Sequence, residues 1–413
     1  MTRPLRFCMV TTFYPPYHFG GDGVQVHQLS NALARRGHEV DVVHDADAFT
    51  ASGGRGPVNG FVDHSLVHTH TLKSRAGVLS PILTHQTGRP VFKGDLCRLL
   101  QTHRHDVVHF HNVSLIGPTI LGMGSGVKLY TLHEHWLICP MHVLWKFDRE
   151  PCTERACVAC TLHGRRPPQW WRYTGVLNAS LKHVDRFLAP SEFTRQRHLE
   201  QLDLPISVLP LFVPPWPDDG AEETIGRGRP YFLFVGRLVK MKGLQTIIPV
   251  FRDYPEADLL IVGDGPFESE LRTMAAGMAN VRFLGAVQWH RLRAYYRNAI
   301  ALIVPSVGYE SFGVVLVEAF SAQTPVIARR LGAIIETVEE SNGGILYRDN
   351  DELVRAMRGL QQSPELRRTL GGNGYAAYQA KWTEDVHIAR YLDTVERELE
   401  ARRRRDAAQT RAR

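Results

Sequence analysis

Short apolar runs of strand length alternate with helix-length segments from one end of this chain to the other, and that alternation restricts the fold more than any other feature. Strands are expected near residues 5–11, 38–44, 106–110, 127–132, 185–189 and 206–210, separated by helices such as 24–36, 92–103 and 191–201. A stretch rich in proline, glycine and acids follows, Val213-Pro-Pro-Trp-Pro217 through Gly220 to Arg229, and reads as a linker over 213–229. The alternation then resumes, with strands near 231–235, 258–262, 281–284, 300–304, 325–328 and 344–347 and helices beginning near 242, 266, 290, 313, 333 and 351. Strands joined by crossover helices pair in parallel and are covered on both faces. The expected fold is therefore α/β, with one doubly wound parallel sheet in residues 1–212 and another in 230–382. A last helix, 383–405, carries apolar Val386, Ile388, Ala389, Leu392, Val395 and Leu399 and precedes a basic tail, 406–413. With 413 residues, 44% of them apolar, the chain can bury two sizeable cores.

In open α/β sheets ligands gather outside the carboxyl ends of strands, so the residues just after each strand matter most. Ser306-Val-Gly-Tyr-Glu-Ser-Phe-Gly-Val-Val-Leu-Val-Glu318 puts Glu310 in such a loop and Glu318 about a turn and a half into the following helix. Backbone N–H groups at a helix start lack intrahelical partners, so Ser311, Phe312, Gly313, Val314 and Val315 can receive a phosphate. Glu318 would then meet ribose hydroxyls, and Glu310 the group carried on the phosphate. Val235-Gly-Arg-Leu-Val-Lys-Met-Lys-Gly243 delivers Arg237 and Lys242 to another strand-to-helix turn. A fixed guanidinium and an ammonium there would stabilise a diphosphate as it gains charge on departure. Gly263 and Asp264, in Ile261-Val-Gly-Asp-Gly-Pro266, follow the next strand, where glycine permits close approach or positive φ.

Taken together, the Gly-Arg-x4-Lys-Gly segment, Gly-Asp-Gly-Pro, Val281-Arg-Phe-Leu-Gly285, Pro305-Ser306 through Glu318, Thr324-Pro-Val-Ile-Ala328 and Asn342-Gly-Gly-Ile-Leu346 resemble glycosyltransferase family 4. In the first half Gly20-Gly21 stands ahead of Leu29, Leu33 and Gly37-His-Glu-Val40 at that family's spacing. The resemblance covers nearly the whole chain. It implies GT-B architecture, two Rossmann-like domains facing a central cleft, and a retaining transfer of sugar from a nucleoside diphosphate donor to an acceptor hydroxyl without a catalytic metal. It also implies that the closing helix crosses back to the first domain and that His133, in Thr131-Leu-His-Glu-His135, lies beside the transferred sugar as a pocket-shaping residue rather than a base. The implied catalytic set is Arg237, Lys242, Glu310 and His133. Gln323 departs from the pattern, standing where relatives often have glycine.

Gly20, Gly21 and Gly23 fall between the first strand and a helix, so backbone can approach donor phosphates there, or the glycines serve only the turn. Gly23 occupies a place where family members often have an acid or another polar residue, which removes a side-chain contact to the acceptor. His109 and His111 alternate on one strand; they read as residues closing a sheet in preference to lining the cleft. Four of the six cysteines, Cys139, Cys152, Cys157 and Cys160, lie in an expected insertion, 136–166. Four thiolates ending in a C-x2-C pair would suit a structural tetrahedral zinc knitting that loop, the alternative being reduced cysteines. Arg165-Arg-Pro-Pro-Gln-Trp-Trp-Arg172 mixes cations with tryptophans and could touch a membrane interface; burial of at least one tryptophan is expected.

The formal charge of +7 does not point to nucleic acid. The tail 401–413 holds six arginines and one aspartate, leaving about +2 for the rest, and no nucleic-acid motif accompanies it. That tail is expected to be a frayed helix end or a weak membrane contact. Leu5-Arg-Phe-Cys-Met-Val10 is too short for a secretory signal, and no apolar run approaches the roughly 18 residues that span a bilayer. A cytoplasmic enzyme, with possible contact at the inner membrane face, is expected. Its acceptor could be a lipid-linked saccharide or a small molecule. A dehydrogenase would need G-x-G-x-x-G at the first turn, which is missing. Asp45-Ala-Asp47 and Asp349-Asn-Asp351 match a metal-binding Asp-x-Asp, but they read as a strand end and a helix N-cap. A sugar-nucleotide epimerase and an inactive donor-binding partner in an assembly complex are the competing functions.

Overall fold

The computed structural model describes residues 3–58, 60–91, 93–216 and 228–411. The first sheet is built from β1 (Arg6–Val10), β2 (Glu39–Asp45), β3 (Val67–Leu72), β4 (Val107–Phe110) and β5 (Val127–Thr131). After a two-residue hairpin, β6 (Trp145–Lys146) with β7 (Glu150–Pro151), it is completed by β8 (Arg186–Ala189) and β9 (Ile206–Val208). The order is β3-β2-β1-β4-β5-β8-β9, with every pairing parallel. The second sheet contains β10 (Tyr231–Val235), β11 (Asp258–Val262), β12 (Val281–Gly285), β13 (Leu302–Val304), β14 (Val326–Arg329) and β15 (Gly344–Tyr347). It runs β12-β11-β10-β13-β14-β15, again parallel throughout. Both orders reverse beside the first strand of the sheet, at β1/β4 and at β10/β13. Those are the two points where a crevice opens.

Strand alternation feeds separate cores. Phe7 and Met9 of β1 pack with Val26, Leu29 and Leu33 of the helix Gly21–Arg35, whereas Cys8 and Val10 pack with Leu96 and Leu100 of Gly94–Thr102. Tyr231 and Leu233 of β10 likewise face one core of the second sheet, and Phe232 and Phe234 the other. Completely buried strands of this kind explain the near-continuous apolar runs in the sequence.

The helix Glu384–Arg411 lies on the first sheet through Ile388, Tyr391 and Val395. Arg35 and Arg36 pair with Glu384, and Arg186 pairs with Glu398 at 2.7 Å. The expected end near residue 405 and the frayed tail are both corrected. The helix continues through Arg411, and two of its basic side chains tie it to the first lobe: Arg405 pairs with Asp185 at 2.6 Å and Arg402 donates to the Gly126 carbonyl. Arginine, alanine and glutamine are also good helix formers. Much of the expected linker, 217–227, lies outside the described residues, as do the tail's last two residues. Val213 at its start bonds Trp382, and Trp216 donates to Ser321 at 2.8 Å.

Several elements were not anticipated, among them the short helix Ala46–Ala51 and the β6/β7 hairpin. β3 is an edge strand whose alternating His and Thr leave it half solvated, so it lacks an apolar signature. The helix Leu79–Thr87 and the separate helix Pro364–Lys381, capped by Ser363, also went unforeseen. Asp45 ends β2 and caps the next helix through Ala48 N–H, while Asp349 caps Asn350–Gln362 through Glu352 N–H, as expected for both.

Candidate functional site

Three loops of the second lobe are locked to one another by backbone. Gly243, at φ 80°, leaves only 2.0 Å between a notional Cβ and the Pro305 carbonyl oxygen, and the N–H groups of Val307 and Gly308 bond the Met241 carbonyl. Gly263 approaches the Gly236 carbonyl as closely, and Leu238 N–H bonds the Asp264 carbonyl at 2.7 Å. Gly263 thus has a packing reason of its own: a side chain there would push the Arg237 loop away. Within this frame Lys242 Nζ lies 2.7 Å from Glu310 Oε1, which also accepts from the buried Ser306 hydroxyl at 2.7 Å. Arg237 is exposed five residues ahead of Lys242 in the same connection, and no ion pair holds it among the described residues.

Gly313, left-handed at φ 90°, turns the chain into the helix Val314–Ser321, whose first N–H groups open onto the same loop. Phe312 is buried against the lobe's core and fixes the turn. Glu318, partly buried one turn on, accepts from Tyr296 Oη at 2.7 Å. Burial raises its carboxyl above the ordinary range, and the tyrosine hydrogen bond opposes that rise.

The first lobe meets this loop directly. Ser311 Oγ donates to the His133 carbonyl at 2.8 Å, and the Ser311 carbonyl accepts from Ser191 Oγ and Thr194 Oγ1. Glu336 accepts the N–H groups of Glu192 and Phe193, at the start of the helix Glu192–Leu199. Lys240 pairs with Asp148 of the insertion at 2.9 Å. Burial, with His387 adding repulsion, lowers the His133 imidazole to about 4, so it is neutral near pH 7. His111 does more than close a sheet: it shares a hydrogen bond of 2.9 Å with His133, and both line a small cavity of about 20 Å³ with His109, His387 and Tyr391. His109 bonds Tyr391 and Thr131.

Gly20 at φ 92° and Gly21 at φ 45° begin the helix Gly21–Arg35, while a Cβ on Gly23 would lie 3.0 Å from the Phe13 carbonyl oxygen. The adjacent Asp22 places a carboxylate one position earlier, engaged within the fold. It accepts from Gly23 N–H and from Asn112 Nδ2, and burial together with Glu134 raises its carboxyl to about 6. Glu134 in turn contacts His142 at 2.7 Å. Sequence reasoning missed Asp22, Ser306 and Tyr296. Asp22 and Ser306 sat inside quoted motifs, whereas nothing local marks Tyr296.

Cys139, Cys152, Cys157 and Cys160 are all free thiols. Cys139 and Cys152 share a small core with Ile138 and Leu144, and Cys160 Sγ accepts Phe147 N–H at 3.5 Å. Burial raises the thiols of Cys139 and Cys152, and neighbouring cysteines add to the rise. Among the described residues the metal-type ligand atoms within 4.8 Å of one another belong to Asp41, His103 and His105, not to the cysteines. Asp41 is already engaged by His70 and His105 at 2.8 and 2.9 Å and by Arg6. Trp171 is buried and Trp170 exposed, in line with the expected burial of at least one. No helix of the described residues is long and apolar enough to cross a membrane.

Residues 19–216 match the model of Glycosyltransferase Family 4, and residues 218–377 that of Glycosyl transferases group 1. A phosphatidyl-myo-inositol mannosyltransferase of Mycobacterium leprae is 31% identical over 92% of this chain and 95% of its own length. One from Mycolicibacterium smegmatis is 26% identical over 90% and 88%. Among solved structures, sucrose-phosphate synthase from Thermosynechococcus elongatus superimposes with a TM-score of 0.74 at 23% identity, covering 96% of this chain and 99% of that one. Anabaena HepE in complex with UDP-glucose gives 0.68 at 15%, covering 95% and 99%.

Proposed function

From the premise that this chain belongs to glycosyltransferase family 4 and has the GT-B fold, we propose that it moves a sugar from a nucleoside diphosphate donor to an acceptor hydroxyl with retention at the anomeric carbon. The observation that carries this reading is the meeting of Lys242, Glu310 and the start of the helix Val314–Ser321 with the His133 backbone of the other lobe. A diphosphate seated on that helix start would have Arg237 and Lys242 beside its leaving oxygen. There their charge is worth more in the transition state than before it. The bond from the anomeric carbon to the phosphate oxygen breaks while the acceptor oxygen bonds the same face, and the acceptor proton passes to the departing phosphate. In this scheme Glu310 orients sugar hydroxyls, Glu318 holds the ribose with Tyr296 fixing its carboxylate, and neutral His133 offers a hydrogen bond to the sugar. The glycine loop, Gly20 to Gly23, with Gly263 and Asp264, closes round the donor.

Two cations at the leaving group make a catalytic metal unnecessary in this scheme. Zinc at Cys139, Cys152, Cys157 and Cys160 would be structural only. The enzyme is taken to be cytoplasmic. The HepE complex with UDP-glucose supports a nucleotide-sugar donor; base, sugar and acceptor are to be found by a thermal-shift panel of UDP-, GDP-, ADP- and TDP-sugars, since a bound donor raises the melting temperature. With the donor known, Arg237→Ala should lower kcat/KM by roughly 100-fold with little change in melting temperature, because the side chain is exposed and unpaired. Turnover within threefold of the parent chain would remove Arg237 from the leaving-group role. Conversion of the donor sugar without an acceptor would replace transferase by epimerase, and donor binding with no transfer would favour a scaffold.

A further inference from the structure

The helix Leu79–Thr87 turns Ser80, Pro81 and Thr84 inward and presents Leu79, Ile82 and Leu83 to solvent, with Val78 just ahead of them. Spacing of three and four residues puts these side chains on one helix face. The inward side is fastened to the turn Trp170–Tyr173: Trp171 Nε1 donates to the His85 carbonyl at 2.9 Å, and its ring packs against Gly88. The turn's other two aromatics face out, with Leu79, Trp170 and Tyr173 being 57%, 60% and 63% exposed. Trp170 and Tyr173 have ring centroids 6.3 Å apart. Leu162, eight residues earlier, is exposed as well. Grouped aliphatic and aromatic exposure of this kind marks an interaction surface.

The charge around the patch identifies its partner. Neither 64–94 nor 155–184, the segments that build it, contains a single aspartate or glutamate, whereas Lys73, Arg75, Arg89, Arg165 and Arg166 are all exposed. This one-sided distribution belongs to a chain whose charge outside the tail is nearly balanced. We infer that this face docks on an anionic lipid bilayer. Leu79, Ile82, Leu83 and Trp170 enter the boundary between headgroups and acyl chains, and the flanking cations sit among lipid phosphates. The aliphatic row supplies burial and the arginines supply preference for anionic lipid, a division that a neutral protein surface would not exploit. None of these exposed residues is among those assigned to the donor, so docking and donor chemistry are tested separately.

The full chain should sediment with vesicles of equal phosphatidylcholine and phosphatidylglycerol at about 0.1 M salt, where charges still act over roughly 10 Å, and much less with phosphatidylcholine alone. Leu79→Ser/Ile82→Ser/Leu83→Ser, confined to exposed positions, should lower the partition coefficient at least tenfold with the melting temperature kept. Arg165→Gln/Arg166→Gln should lower it about fivefold for each charge removed, the equivalent of ~1 kcal/mol per cation. Equal sedimentation with both vesicle types would overturn the inference. So would binding undiminished in the serine variant but lost on neutralising Arg403 and Arg404 of the tail. Concentration-dependent self-association that the serine variant abolishes, with no vesicle binding, would reassign the face to a second copy of the chain. Donor-induced thermal shift should be unchanged in both variants, so failure of docking is read apart from failure of the transferase reading.

Discussion

Acidification from pH 7 to pH 5 should weaken the first lobe through histidines that are buried uncharged. His44, His198 and His387 are each held at about 4, against an ordinary 6.5, chiefly by burial. The carbonyls of Thr194 and Pro210, which accept from His198 and His387, offset only part of that. For a base whose folded value is depressed, the unfolded chain binds the proton first, so stability falls as pH drops from 6.5 towards 4. At pH 5 the unfolded imidazole is almost fully charged and the folded one almost neutral, a difference of about 2 kcal/mol for each histidine. Asp22 acts in the opposite direction. Its carboxyl, raised to about 6, takes up a proton in the folded state before the unfolded one and returns about 1 kcal/mol at pH 5. From these four groups alone the loss is about 5 kcal/mol, comparable with the whole stability of an ordinary domain. Urea unfolding at pH 7, 6 and 5 measures it, and imidazole proton resonances of the three histidines should show no titration step near pH 6.5. Unfolding free energies at pH 7 and pH 5 that agree within about 1 kcal/mol would refute the argument, since the histidines would then be charged or solvated in the fold.

Two other outcomes follow from side chains at the site. Tyr296→Phe removes the hydroxyl whose hydrogen bond Glu318 accepts and should raise the donor KM about tenfold or more, the scale of one hydrogen bond to a charged group, with kcat little changed; an unaltered KM would detach Glu318 from donor binding. Metal analysis of chain purified without chelator should find less than about half an equivalent of zinc, because the four thiols do not converge among the described residues; about one equivalent, lost in Cys157→Ser/Cys160→Ser while the donor-induced thermal shift persists, would instead make the cluster a structural zinc site.

The order of elements was legible because both sheets are covered on each face, which forces runs such as Tyr231–Val235 to be apolar without a break. β3 was illegible for the same reason in reverse: an edge strand reading Val-His-Thr-His-Thr-Leu buries only its ends. At the site, local chemistry marked positions but not partners. Glycines at 243, 263 and 313 and the carboxylates at 310 and 318 could be read from the chain, because a tight approach or an anion-accepting turn demands particular residues nearby in sequence. The Lys242–Glu310 pair spans 68 positions and the Ser311–His133 bond 178, so neither has a local signature. Those two contacts carry the argument for function. Lys242 held by Glu310 is already aimed at the loop where Gly313 starts its helix, and the first lobe reaches that loop through the backbone of His133 and the hydroxyls of Ser191 and Thr194. Backbone and short side chains leave little slack across the joint. A substitution that disturbs it, such as Ser311→Ala, would therefore shift His133 relative to Glu310 instead of merely subtracting one hydrogen bond.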